Sequence, residues 1–195
     1  CPLPAIYSGK DMQAYREWLG AGSFDAVASL GGSFISDRIE DYYYTPWEID
    51  YGRLIRFDHD FVGRDALEQR AAGSHRRKVS LVWNPEDAQR VYGSLATPGA
   101  NGKYMEMPAF HYSSYQYDAV LSSKGDRVGI STYSSFLAPD GAWVSLAVVD
   151  ESHATVGSAL TIVWGEPGGG SNRPNVERHV QMHVRATVSG WPFSS

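Results

Sequence analysis

The chain has 195 residues, of which 43% are hydrophobic, so it can bury a core as one large domain or two small ones. Its formal net charge of −5 argues against a nucleic-acid or anionic-membrane partner, because such partners need a surplus of Lys and Arg on one face. No apolar run approaches the roughly 20 residues of a membrane span, and the single cysteine, Cys1, favours a reducing, cytoplasmic compartment.

The first third of the chain mixes helices and strands. Ser8 as N-cap and apolar residues at helical spacing predict a helix over residues 9–19. A buried strand is predicted over 26–30, ending at a Gly-Gly pair, and alternation predicts a second strand over 51–57. Residues 60–70 are then predicted to form a turn that runs into a helix, which Gly73 closes.

From about Ser74 onward the pattern becomes mostly β. Strand-length segments bounded by Gly, Pro, Asn or Asp cover residues 78–83, 127–133, 142–149, 158–164 and 176–188. The last of these alternates apolar and polar residues with a period of two. Asn84 as N-cap and Pro85 predict one helix over 86–95, and residues 168–172 (GGGSN) are typical of a hairpin tip. The pattern predicts a barrel or two-layer β domain.

Several kinds of chemistry lack support in the sequence. His179 and His183 lie four apart, but on a strand that spacing puts them roughly 13 Å from each other, too far to share one metal ion. Residues 165–172 lack the Gly-Lys-Ser/Thr end of a phosphate loop, and no Gly-x-Ser-x-Gly elbow occurs. We therefore expect neither a metal site nor nucleophilic hydrolysis.

Residues 37–48 (DRIEDYYYTPWE) hold the densest concentration of aromatic and ionisable groups in the chain. Aromatic faces can stack on a flat heterocycle, a carboxylate can accept from ring N–H groups, and a Tyr hydroxyl can orient or protonate a leaving oxygen. These aromatic residues could equally pack beneath a loop at a domain junction. Composition alone leaves both interpretations open.

Residues 45–52 (TPWEIDYG) and 57–67 (FDHDFVGRDAL) resemble the signature of the glycine-cleavage T-protein family. In that family a Pro-x-Glu-x-x-x-Gly stretch runs into Asp-Phe-Ile-Gly-Arg-Glu-Ala-Leu. A second block, residues 127–132, 142–149 and 156–162, is similar to the β-barrel pattern of the family. Shorter segments look closer to the folate-dependent aryl O-demethylases of vanillate or syringate type: SLGGSF, IEDYYYTPW, VWGE and PNVERH.

The resemblance implies an α+β fold in two parts. Residues 1–74 would form the end of a ferredoxin-like, folate-binding region, and residues 75–195 a C-terminal antiparallel β-barrel. Because family members are about twice as long, the chain would be a C-terminal portion that lacks the N-terminal half with most of the folate pocket. Its start at Cys1, without an initiating Met, agrees with that expectation.

The implied activity is transfer of a methyl or aminomethyl group to N5 of tetrahydrofolate, which is the implied cofactor. The partners would be a small-molecule methyl donor or an aminomethyl carrier protein, together with the missing half of the same protein. Residues 38–40 resemble the end of an Arg-Leu-Glu stretch near the family's folate pocket, with Tyr residues following. The resemblance thus implies five pocket neighbours and assigns no catalytic residue: Arg38, Glu40, Tyr43, Tyr44 and Trp47.

Two other classes of function stay open at this point. The chain could be a non-catalytic module of T-protein-like fold that holds a ligand or a partner. It could also resemble the T-protein-like regulators or iron-sulfur assembly factors that keep the folate fold without the transfer. If the chain is instead a portion of the transferase, it is expected to be inactive by itself.

Overall fold

The computed structural model of the chain describes residues 12–18, 30–105, 107, 115–170 and 176–190. The helices are α1 (Gln13–Trp18), α2 (Arg64–Ala71) and α3 (Pro85–Ser94). The strands are β1 (Leu30–Gly31), β2 (Arg77–Trp83), β3 (Tyr115–Gln116), β4 (Asp118–Leu121), β5 (Arg127–Leu137), β6 (Ala142–Val149), β7 (Ala159–Trp164) and β8 (Met182–Ser189). Short 3-10 turns span Ile39–Tyr42, Gly52–Leu54 and Glu151–His153. Among these residues, no helix combines the length and the apolar character needed to cross a bilayer.

Six strands close into an antiparallel barrel in the order β2-β6-β5-β4-β7-β8, with β8 pairing back onto β2. Closure pairs both sides of every strand, so the barrel has no open edge. On β8 the side chains of Val184, Ala186 and Val188 are buried while the residues between them are exposed, as the alternation predicts. The predicted α+β class with an antiparallel barrel is confirmed. The predicted division at residue 74 stays a prediction.

Helix α3 covers one side of the barrel and begins as the sequence predicts. The Asn84 side chain accepts a hydrogen bond from Asp87 N at 3.0 Å, and Pro85 occupies the first turn, where its missing N–H costs nothing. Ala88 and Val91 face inward and join the barrel core. Asp87 accepts from Arg185 on β8 at 2.8 Å, which ties the helix start to the barrel.

The strand predicted over residues 51–57 is wrong. The segment forms a 3-10 turn instead, in which Leu54 N donates to Tyr51 O at 2.9 Å. Asp50 just before it has φ 68°, which turns the chain out of an extended path. Tyr51 and Leu54 are 59% and 68% exposed, so the alternating residues have no buried face to occupy.

Residues 60–70 do form the predicted turn and helix: Gly63 adopts φ 92°, and the helix begins at Arg64. Other predicted bounds shift. The last predicted strand begins at Met182, after an isolated bridge from Val180 to Gly102. Most of the strand predicted over 26–30, parts of the helix over 9–19 and the end of the hairpin tip lie outside the described residues.

A second, smaller core joins the first part of the chain to the outside of the barrel. Strand β1 pairs in parallel with β3, and Phe34 N donates to Tyr117 O at 2.8 Å just beyond that pairing. The small core consists of buried side chains from this region and from two barrel strands: Leu30, Phe34, Tyr42, Tyr117, Ile130 and Val148. The aromatic segment 37–48 is thereby held against β5.

Candidate functional site

A cleft of about 510 Å³ lies between the aromatic segment and β5. We call it the aromatic cleft. Its walls come from the segment after β1, residues 41–48 and the start of β5, together with Arg70, Arg76 and Asp150. The lining includes the side chains of Phe34, Tyr43, Tyr44, Glu48, Arg76 and Arg127.

A buried ion pair forms the floor of the aromatic cleft. Arg76 Nε donates to Glu48 Oε1 at 2.6 Å, and an Arg76 terminal nitrogen donates to Tyr43 O at 3.2 Å. Thr45 N donates to the other oxygen of Glu48 at 2.7 Å. Burial alone would raise the pKa of Glu48, but the hydrogen bonds from Arg76 and Thr45 outweigh it and hold this pKa below its usual value. Glu48 is therefore a fixed negative charge.

Aromatic rings and guanidinium groups alternate along the wall. The Tyr44 ring stacks on Tyr117 with centroids 6.0 Å apart, and the Arg76 guanidinium lies 5.6 Å from the Tyr44 centroid. On the opposite side, the Arg127 guanidinium lies 4.6 Å from the centroid of Phe34. The wall thus places flat apolar surface beside positive charge locally, although the whole lining balances three arginines (Arg70, Arg76, Arg127) with three carboxylates (Asp41, Glu48, Asp150).

The Tyr44 hydroxyl is inaccessible to solvent and has no hydrogen-bond partner among the described residues. Burial raises the pKa of Tyr44, and the charge of Arg76 offsets this only in part. The hydroxyl therefore keeps its proton at neutral pH. Buried polar groups in native proteins usually have a partner, so this hydroxyl is a donor whose acceptor has to come from elsewhere.

Trp47 lies in a neighbouring cleft of about 360 Å³. Its ring stacks on His75 with centroids 4.8 Å apart and planes inclined by 10°. A Cβ on Gly52 would overlap the edge of the Trp47 ring, so the turn at residues 52–54 is fitted closely to the indole. Arg76 borders both clefts and connects them.

The structure brings three of the five predicted pocket neighbours to this region. Tyr43 and Tyr44 line the aromatic cleft, and Trp47 lines the cleft next to it. Arg38 is exposed and is absent from the walls described above, and the side chain of Glu40 lies outside what the structure describes. The folate-pocket role of all five residues stays a prediction.

Sequence reasoning missed the charged half of the cleft. Glu48 is the Glu of the Pro-x-Glu stretch, so the family signature could have found it. Arg76 belongs to the basic cluster 76–78, a pattern equally typical of a solvated strand entrance. Phe34 and Arg127 meet only through tertiary structure, and no local pattern connects them. Within the described ranges, no three His, Cys, Asp or Glu residues converge as metal ligands.

The chain is similar to several known enzymes. It is 39% identical over 194 residues to a syringate O-demethylase from Sphingobium sp., an alignment that covers 100% of this chain and 42% of the relative. It is 29% identical over 205 residues to a sesamin methylene transferase from Sinomonas sp., covering 98% of this chain and 42% of that protein. An aminomethyltransferase from Stenotrophomonas maltophilia is 30% identical over 89 residues, 44% of this chain and 24% of that protein.

The chain belongs to the glycine-cleavage T-protein family. The prediction that the chain resembles the aryl O-demethylases of this family more than the T-protein itself is also confirmed. The chain spans 42% of the length of the two relatives that match it throughout. A glycine cleavage system aminomethyltransferase T from Bartonella henselae superposes with a TM-score of 0.45 at 15% identity, over 77% of this chain and 32% of that one. No family model matches the chain.

Proposed function

We propose that this chain is part of a tetrahydrofolate-dependent one-carbon transferase of the aryl O-demethylase type. The observation that carries the proposal is 39% identity to a syringate O-demethylase along the whole chain, with the aromatic cleft inside the aligned region. The one-carbon unit would be the methyl group of an aryl methyl ether. The coarser form of the proposal, a methyl or aminomethyl transfer to tetrahydrofolate, covers the aminomethyltransferase relative as well.

The residues of the aromatic cleft fit a reduced folate. The rings of Phe34 and Tyr44 border the cleft, so a flat heterocycle or an aminobenzoyl ring bound there would contact them. Arg127 is exposed at the cleft and can meet a carboxylate of the glutamate tail. The buried hydroxyl of Tyr44 offers a hydrogen bond that no described residue takes. Tetrahydrofolate, when bound, supplies the nucleophilic N5 that accepts the one-carbon unit.

The chain's own residues then have binding and orienting roles. Arg76 and Glu48 neutralise each other and hold the floor of the cleft, so neither adds a net charge to the ligand site. Burial raises the pKa of Tyr44, so its hydroxyl stays protonated; because it is inaccessible to solvent here, it would meet a ligand atom only if the wall moved. Holding two partners in line is worth several orders of magnitude in rate, and rigid aromatic walls are suited to that task.

The test uses the full-length protein as its cell produces it, with tetrahydrofolate and syringate as substrates. We expect 5-methyltetrahydrofolate and the demethylated phenol to form in equal amounts, measured by mass spectrometry. Arg127→Met should raise KM for tetrahydrofolate about tenfold, because a charge-assisted contact to a carboxylate is lost. Arg178→Met, which removes an exposed arginine outside the cleft, is the matched control and should leave KM unchanged.

Other outcomes separate the alternatives. Folate binding without any methyl product would favour a non-catalytic module or a T-protein-like regulator. Formation of methylene-tetrahydrofolate from an aminomethyl carrier protein, with no activity on aryl ethers, would favour the aminomethyltransferase. Equal KM values for Arg127→Met and the wild type would contradict the proposal that folate binds in the aromatic cleft.

A further inference from the structure

A charged pair is buried outside the aromatic cleft. Lys103 and Glu166 are 0% and 3% exposed, and Lys103 Nζ lies 2.7 Å from Glu166 Oε1. Lys103 Nζ also donates to Gln116 Oε1 at 2.5 Å. Neither member of the pair is among the residues that line the cleft. We call these two residues the buried pair.

Stability alone does not account for the buried pair. Taking two charges out of water costs several kcal/mol for each ion, and apolar replacements of similar volume are often neutral or stabilising. The buried pair also imposes a geometry on its neighbours. The same oxygen of Glu166 that meets Lys103 also accepts a hydrogen bond from Gly32 N at 2.8 Å.

The Gly32 contact is the first of three in a row. Ser33 N donates to Asp118 Oδ1 at 3.1 Å, and Phe34 N donates to Tyr117 O at 2.8 Å. Three successive backbone amides thus each bind a separate acceptor. Gly32 has φ 93°, and a Cβ there would overlap the carbonyl oxygen of Tyr117. The Gly32 backbone therefore packs directly against the backbone of Tyr117, where a side chain has no room.

Glu166 is in turn held from its other side. His179 Nδ1 lies 2.9 Å from Glu177 O, a carbonyl that can only accept, so Nδ1 carries the proton. His179 Nε2 is then free to accept from Glu166 N at 2.9 Å. A Cβ on Gly165 would come within 2.7 Å of the same Nε2. His179 thus fixes the Glu166 backbone, whereas the second carboxylate oxygen, Oε2, lies 3.3 Å from the same Nε2 and has no hydrogen-bond partner among the described residues.

Residues 32–34, whose three backbone amides are bound, end at the wall of the aromatic cleft. Phe34 follows Gly32 by two residues, and its ring lies 4.6 Å from the Arg127 guanidinium. Arg127 donates to Ile35 O at 2.8 Å, and the Tyr42 hydroxyl donates to Phe34 O at 3.1 Å. A shift at Gly32 would therefore move the ring and the cation that face the ligand.

We propose that Lys103 and Glu166 are positioning residues: the buried pair fixes the Gly32 amide and thereby holds the Phe34–Arg127 wall of the aromatic cleft in place. Lys103 neutralises the carboxylate so that it can stay buried and accept from Gly32. The role of this wall in folate binding rests on the proposed function. That the buried pair holds this wall in place does not depend on the proposed function.

Two neutral double variants of the full-length protein test the proposal. Lys103→Met/Glu166→Gln keeps the oxygen that accepts from Gly32, whereas Lys103→Met/Glu166→Met has nearly the same shape without an acceptor. Both remove the charges of Lys103 and Glu166 together, and both take the Lys103 cation away from the buried Asp118 carboxyl to the same extent, so the difference between them isolates the acceptor for Gly32. We measure amide hydrogen exchange of residues 32–35. We expect exchange at least tenfold faster in the Met variant than in the Gln variant, with the Gln variant close to wild type.

The kinetic readout separates positioning from general stability. KM for tetrahydrofolate should rise about tenfold in the Met variant and return towards the wild-type value in the Gln variant, at matched fractions of folded protein by thermal unfolding. Asp87→Asn/Arg185→Met, which breaks the pair between α3 and β8, is the control and should alter neither readout. If the Met variant does not fold, Lys103→Met/Glu166→Leu takes its place.

Equal exchange in the Gln and Met variants would overturn the proposal. So would faster exchange with unchanged KM in an active enzyme, because the wall would then be independent of the buried pair. A wild-type protein without folate turnover would contradict the proposed function instead, and exchange alone would then decide the role of the buried pair.

Discussion

Arg76 and Glu48 form an ion pair of 2.6 Å between side chains that are 23% and 9% exposed. One residue further along, Arg77 pairs with Glu151 between side chains that are 63% and 55% exposed. Two adjacent arginines thus form ion pairs that differ in burial: Arg76 pairs with a buried carboxylate and Arg77 with an exposed one. The difference in burial decides how much each arginine contributes to stability.

Arg76→Met should lower the free energy of unfolding by about 3 kcal/mol, because it leaves the carboxylate of Glu48 buried without its cation. The matched substitution Arg77→Met should cost less than about 1 kcal/mol, since water solvates Glu151 in its place. Urea denaturation of both variants beside the wild type measures the two losses. Similar losses would show that the burial of Glu48 has no energetic consequence.

The barrel strands could be predicted because each carries its own local signal. On β8 the alternation of buried and exposed residues is complete, and Asn84 and Pro85 mark the start of α3 within one residue. The closure of the barrel has no such signal, because β2 pairs with β8 across about a hundred residues. Residues 51–57 show the limit of alternation, which predicts a strand only where one face is buried.

The aromatic half of the cleft could be predicted from composition, since Tyr43 and Tyr44 stand in the densest aromatic stretch. The rest depends on residues that meet only after folding. Phe34 and Arg127 are adjacent in space but far apart in sequence. Lys103 has no sequence feature that distinguishes it from a surface lysine, the usual location of that residue type, yet it is fully buried.

Gly32→Ala should lower the free energy of unfolding by more than about 3 kcal/mol. The new methyl group would overlap the carbonyl oxygen of Tyr117 and would also add the strain of a positive φ. Gly125→Ala is the matched control, because Gly125 has φ 86° but nothing within 4 Å of an added Cβ. It should cost only the backbone strain, about 1 kcal/mol. Thermal unfolding of the two variants gives the difference, and equal losses would exclude close packing at Gly32.

Tyr44→Phe should leave the ligand-free protein as stable as the wild type, or about 1 kcal/mol more stable, because it removes a buried hydroxyl with no partner in the described part of the chain. The same change should weaken tetrahydrofolate binding about fivefold if the ligand takes that hydrogen bond. Urea denaturation and isothermal titration calorimetry on one preparation measure both effects. Tyr133→Phe, at a tyrosine that is 54% exposed, is the control. A large loss of stability would reveal a partner for the Tyr44 hydroxyl.

Asp118 should make the protein less stable as the pH rises. Its carboxyl is 1% exposed, and burial, with a smaller contribution from the charge of Glu166, raises its pKa from 3.8 to about 6 although Lys103 opposes the shift. Between these two pH values the folded state holds a proton that the unfolded state has released, so folding is favoured at the acid end. About 3 kcal/mol is lost by the time the pH passes 6.

Asp118→Asn isolates this effect because the amide cannot ionise. We expect the variant to gain about 3 kcal/mol of unfolding free energy relative to the wild type between pH 4 and pH 7, measured by urea denaturation at each pH. Asp87→Asn gives the opposite sign: hydrogen bonds from Arg185 lower the pKa of Asp87 to about 2, so wild-type Asp87 stabilises the fold as the pH rises from 2 to 4. A difference for Asp118→Asn that does not change with pH would mean that water or an unseen donor solvates the buried carboxylate.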